Sequence, residues 1–123
     1  MKNKYHSRKI SRDGLTFDSV REYRRYCELA LLEKAGHITD LKLQVPFELL
    51  PAQYETFERY GKKGQRLKDG SRCIEKAVIY RADFVYKDNG KTIIEDTKGF
   101  KTKDYILKRK MMLYFHGIKI KEV

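Results

Sequence analysis

Two acids and a lysine carry the chemistry of this chain: Asp83, Asp96 and Lys98. Two β-rich runs, residues 78–86 and 92–98, flank Asn89-Gly90. That dipeptide favours a two-residue type I′ hairpin, because both central residues need φ > 0. With such a loop Asp88 pairs with Lys91, and counting back sets Asp83 directly opposite Asp96. Lys98 then lies two residues along the same face, opposite Arg81. A three-residue loop over Asp88, Asn89 and Gly90 instead sets Asp83 opposite Glu95.

Opposed like charges destabilise a strand pair. Two carboxylates roughly 5 Å apart repel by on the order of 3 kcal/mol at an effective dielectric near 20. A divalent cation, Mg²⁺ or Mn²⁺, is the natural compensation, since one or two carboxylates suffice to hold Mg²⁺ while water and phosphate oxygens fill its other positions. Lys98 can then orient or polarise an attacking water and offset charge building on a phosphodiester. The plain structural alternative is a solvated hairpin face on which these charges do no chemistry.

Ala82-Asp83, a short interval and then Asp96-Thr97-Lys98 resembles the signature of the PD-(D/E)XK nuclease superfamily, with Ala82 in the place of the proline. The wider pattern is similar to a small, phage-type branch that includes Holliday-junction resolvases and transposase nuclease subunits. The matching segments are Phe17-Asp-Ser-Val-Arg-Glu-Tyr-Arg-Arg-Tyr26, Leu43-Gln-Val-Pro-Phe47, Tyr80-Arg-Ala-Asp-Phe84 and Glu95-Asp-Thr-Lys-Gly99. The resemblance implies an α/β restriction-endonuclease-like core, with a mixed sheet of four to five strands flanked by two main helices. It also implies metal-dependent DNA hydrolysis. Asp83 and Asp96 would bind the metal with help from the Thr97 backbone carbonyl, and Glu22 would serve as auxiliary ligand or base. Gln44 resembles a glutamine that related nucleases keep near the catalytic face; as a bare strand position it is simply exposed and polar.

The 123 residues fit one domain with a modest core. Hydrophobic residues reach 41% beside 37% charged, the balance of a globular chain. A net charge of +11 suits a polyanion, with nucleic acid the default partner. No apolar run approaches membrane-span length, and a signal-peptide core is missing from the start. Cys27 and Cys73 form neither a disulfide framework nor a zinc spacing, which fits a reducing cytoplasm, that of a bacterial host if the chain is phage-encoded.

Residues 1–12 form a basic arm without acids, and a small hairpin pairs residues near 7–10 with 15–17. A helix of about 17 residues follows, roughly 25 Å long at 1.5 Å per residue. Ser19 caps it with Glu22 completing a capping box, Asp18 being the alternative cap, and Gly36 stops it. Glu22 has two readings, reciprocal cap and site acid. Arg21, Arg24 and Arg25 beside it suit a surface facing a DNA strand, as does Arg81. Residues 40–50 alternate as a half-buried strand whose Pro46 marks an edge or bulge, and Glu48 is a further acid near the site.

Residues 51–72 are hardest to read: 53–60 continue the strand or form a short helix, and 59–72 read as a basic, glycine-punctuated loop. Its Lys62, Lys63, Arg66 and Lys68 either grip a DNA backbone or sit on a flexible exposed loop. Beyond Gly99, Thr102 caps a helix over 103–116 that Gly117 stops, bringing Lys101 and Lys103 beside substrate phosphates. Residues 118–123 close the fold as a strand joined in parallel through the helix. The expectation is a structure-selective endonuclease for branched or junction DNA in phage replication or recombination, acting as a two-fold homodimer. The alternatives are a nuclease-fold protein that only binds DNA, and a basic RNA-binding module using its nine tyrosines for stacking.

Overall fold

The computed structural model describes residues 9–12 and 14–123. Positions 1–8 of the basic arm, and Asp13 of the first turn, lie outside the described residues. β1 (Ile10–Arg12) and β2 (Leu15–Phe17) form the small hairpin, Ile10 opposite Phe17. There follow α1 (Val20–Lys34), β3 (Thr39–Leu50), β4 (Gln53–Tyr60), β5 (Arg66–Glu75), β6 (Val78–Asp88), β7 (Lys91–Asp96), α2 (Lys103–His116) and β8 (Lys121–Glu122). The main sheet runs β3-β6-β7-β8, antiparallel up to β7 and parallel between β7 and β8. The chain is thus α/β, two helices with a mixed four-stranded sheet and two small two-stranded sheets. Among the described residues no helix is long and apolar enough to cross a membrane.

Local signals set the element ends. The Ser19 side chain accepts the Glu22 N–H and the Thr102 side chain accepts the Tyr105 N–H. Gly36 and Gly117 take φ of 83° and 66°, the left-handed geometry that ends helices. Asn89 and Gly90 take φ of 50° and 79°, and Asp88 pairs with Lys91, so the hairpin loop has two residues. The ladder runs through Phe84 opposite Glu95, which excludes the three-residue loop and brings Asp83 level with Asp96. Pro46 does lie on an edge, since β3 pairs only with β6 in the described sheet. β8 is shorter than the strand expected over 118–123, because Ile118 and Ile120 are drawn into the core beside α2.

The core is split. Leu29 of α1 packs with Ile38, Leu41, Leu43, Phe84, Tyr86 and Ile93, while Tyr105 and Met112 of α2 pack with Phe47, Leu49, Tyr80, Ala82 and Ile94. Ile93 and Ile94 are neighbours on one strand, so the two clusters lie on opposite faces of the sheet. Yet Ala82 and Phe84 share parity, as do Leu43 and Phe47, and each pair is divided between the clusters. The pleat therefore turns over between them, at Gln44 and Asp83. Gln44 has φ of 53°, a conformation non-glycine residues seldom adopt. The apparently continuous apolar strip of β3 in fact serves two layers.

One expectation is corrected. The basic loop over 59–72 is the greater part of an antiparallel ribbon, β4 with β5, turned by Gly61 and Gly64 (Gly61 N to the Gln65 carbonyl, 2.8 Å). The glycines that read as irregularity have specific roles. Gly64 turns with φ of 75°, and a Cβ on Gly70 would fall 2.3 Å from the Phe57 ring.

Candidate active site

The reversal of the pleat gives Asp83 its surroundings. Its Oδ2 accepts from the Thr97 backbone N–H at 2.9 Å and the Thr97 hydroxyl at 2.8 Å, while its Oδ1 accepts from Gln44 Nε2 at 3.3 Å. Across the hairpin Asp96 is 1% exposed and its Oδ2 accepts from the Tyr80 hydroxyl at 2.7 Å. The buried Oδ1 of Asp96 lies 3.4 Å from the Lys98 ammonium and accepts no hydrogen bond from the described residues. Lys98 in turn sits 4.4 Å above the Tyr105 ring, a cation–π contact that orients it from below. Val123 ties down the strand on either side of Thr97: its N–H donates to the Asp96 carbonyl and its carbonyl accepts from the Lys98 N–H.

Glu22 enters from α1 and is buried beside Asp83. Its Oε2 accepts the Asp18 N–H at 3.3 Å, one residue earlier than the capping-box expectation, and its Oε1 accepts from Gln44 Nε2 at 2.9 Å. The Gln44 amide thus stands between Glu22 and Asp83. Burial and then the neighbouring Asp83 charge push the Glu22 carboxyl up to about 7. Burial, then the hydrogen-bonding proximity and charge of Asp83, push the Asp96 carboxyl up to about 8. Glu22 and Asp96, each beside Asp83, therefore resist ionisation.

Glu22, Asp83, Thr97 and Lys98 border an open cleft of about 410 Å³ that Arg21, Gly99 and Phe100 also line. A second cleft of similar size, floored by Tyr80 and Tyr105 and edged by Arg81, Lys98 and Lys108, opens beyond Asp96. Lys98 is common to both. Arg21 also borders a groove along α1 with Arg24 and Arg25.

Not every expected residue converges here. The Arg25 guanidinium is committed to the fully buried Glu95, Nε to Oε1 and Nη2 to Oε2 both at 2.8 Å, and Tyr86 donates to the same carboxylate. The Arg81 guanidinium reaches the Gln44 carbonyl at 3.3 Å, and the Lys101 ammonium lies 3.6 Å from Glu122. Lys103 opens α2 as an exposed residue, whereas Lys62, Lys63, Arg66 and Lys68 are on the ribbon. Sequence reading missed the supports Tyr80, Tyr105 and the Arg25–Glu95 pair. The one available signal was two adjacent acids, Glu95-Asp96, directly following an Ile-Ile run in a strand.

Asp83 and Asp96 suit a Mg²⁺ or Mn²⁺ ion: they are adjacent oxygen donors, and one buried oxygen lacks a hydrogen bond. Among the described residues no three His, Cys, Asp or Glu side chains converge as a ready metal cluster, so water or phosphate would complete the coordination. No curated protein and no solved structure matches the chain. A family described as protein of unknown function (DUF1064) matches residues 2–122, and the chain belongs to that family.

Proposed function

We propose that the chain is a Mg²⁺- or Mn²⁺-dependent endonuclease that hydrolyses DNA phosphodiesters on a restriction-endonuclease-like core. The observation that carries this reading is the opposition of Asp83 and Asp96 with the Lys98 ammonium 3.4 Å from the buried Oδ1 of Asp96, which accepts no hydrogen bond from the described residues. Bound there, the ion would supply Lewis-acid polarisation of the phosphoryl oxygen and lower the pKa of its water. Thr97 holds Asp83 in place through two hydrogen bonds, and Tyr80 holds Asp96 through one. Lys98, steadied by the Tyr105 ring, positions the attacking water and offsets charge on the phosphodiester. Glu22, titrating near neutrality, accepts a proton at the cleft wall. The two clefts meeting at Lys98 give the strand a path across the site, and the charge of +11 favours phosphate-led binding.

Branched or junction DNA is the proposed substrate and a homodimer the proposed working form, in phage replication or recombination within a host cytoplasm. The rival reading has the two acids play a structural part, Asp96 keeping its proton, in a protein that only binds DNA; the raised Asp96 pKa favours it. Plasmid, single-stranded and four-way-junction DNA incubated with Mg²⁺, Mn²⁺ or EDTA decide between them. Cleavage is expected with metal alone, with Asp83→Asn or Lys98→Ala lowering it at least about 100-fold while salt-sensitive binding persists. Variants that cut like the parent, or a parent that never cuts, would end the nuclease reading.

A further inference from the structure

The β4–β5 ribbon has no place in the core. Its strands of eight and ten residues pair only with each other among the described residues, and neither core cluster contains any of their side chains. None of its residues is buried; Phe57, Leu67 and Gly70 are half-covered. A lone two-stranded ribbon is marginal in water. This one is braced internally: the Phe57 ring lies across Gly70, and the Arg72 guanidinium stacks on that ring at 4.5 Å. Its root continues the β3–β6 pair, since Leu50 pairs with Val78 just before it begins.

Charge is sorted along it. Between residues 59 and 68 there are five cations (Arg59, Lys62, Lys63, Arg66 and Lys68) and no acid, whereas Glu55, Glu58 and Glu75 lie toward the root. Asp69 pairs with Arg66. Such a tip repels a second copy of itself and attracts a polyanion. Eight residues at about 3.4 Å each extend on the order of 27 Å. The major groove of B-form DNA, roughly 12 Å wide, admits a two-stranded ribbon; the deep, narrow major groove of A-form RNA does not.

We infer that the β4–β5 ribbon is a duplex-DNA-binding arm that enters the major groove with its basic tip, apart from the Asp83 cleft. The root lies five residues along β6 from Asp83, about 17 Å of strand. The arm therefore grips duplex flanking the bond at the cleft rather than the bond itself. This rests on DNA being the substrate of that cleft.

Equilibrium binding of a labelled 30-base-pair duplex in EDTA, at several salt concentrations, tests it without cleavage. Three exposed lysines are changed together, Lys62→Ala, Lys63→Ala and Lys68→Ala, with the melting temperature checking the fold. Each lost phosphate contact lowers the log–log salt slope by about 0.9, so a fall of about 2 to 3 is expected, with affinity down at least about tenfold at 0.1 M salt. DNA carrying glucosylated 5-hydroxymethylcytosine, which fills the major groove, should weaken the parent by a similar factor and the variant little. A parent-like slope in the variant, indifference to the filled groove, or equal parental affinity for an RNA duplex each overturns the inference. A chain that binds through its arm and never cuts ends the nuclease reading alone; one that cuts while ignoring these changes ends the arm alone.

Discussion

Asp96 and Glu22 carry a pH signature that requires no substrate. Their carboxyls sit at about 8 and about 7 in the folded chain, against ordinary values of 3.8 and 4.5. Folded pKa values above the unfolded ones mean that the native state holds the extra protons between about pH 4 and 8. Stability from these groups is fully present below that window and is lost as pH rises through it. In EDTA the melting temperature should fall between pH 5 and 8.5, and Asp96→Asn should flatten the fall by removing the titrating group. Mn²⁺ should restore stability most at the alkaline end, where protons no longer compete for the carboxylates. Differential scanning fluorimetry reads both effects; a flat profile in EDTA would mean that water reaches these acids.

At the scale of elements, the tie between α1 and β7 is the Arg25–Glu95 pair, which keeps Glu22 against Gln44. Arg25→Met leaves the fully buried Glu95 without its guanidinium and should cost about 3–5 kcal/mol, measurable by urea unfolding. Replacing both, Arg25→Met with Glu95→Leu, should recover much of that loss, because neither charge is then stranded. Elements were legible wherever the cause was local. Asn89-Gly90 set the hairpin register because its backbone preference needs no neighbours, and Ser19, Thr102, Gly36 and Gly117 marked helix ends for the same reason. The turn-over at Gln44 was not legible, since strict alternation through residues 41–49 looks the same whether it feeds one layer or two. Tyr80 beneath Asp96 was equally hidden, being a diagonal contact between β6 and β7, as was Tyr105 beneath Lys98, a contact made only once α2 folds back on the sheet.

At the scale of the molecule, a compact body carries the cleft, and an arm outside the core clusters gathers five cations between residues 59 and 68. The arm eluded sequence reading because its residues face water on both sides, which removes the burial alternation by which strands are recognised. Separation of the two parts has a direct test. Replacing residues 53–75 by a short glycine-containing turn between Ala52 and Lys76 leaves both core clusters complete. Loop-closure cost changes slowly with length, so the melting temperature should stay within about 5 °C of the parent, roughly 1 kcal/mol for a domain this small. A collapse of cooperative melting would show that arm and body fold as one.

The turn-over at Gln44 and Asp83 has a consequence for how this chain can vary in length. Ordinarily a one-residue slip in a strand turns its inner surface outward. Here the same slip would also exchange the helices to which the halves of β3 and β6 adhere. Asp83 stands at that seam, so insertions and deletions near it should be ruinous while the arm beyond Leu50 tolerates them. The most exacting geometry of this chain thus lies on the pair of strands from whose end its most permissive stretch extends.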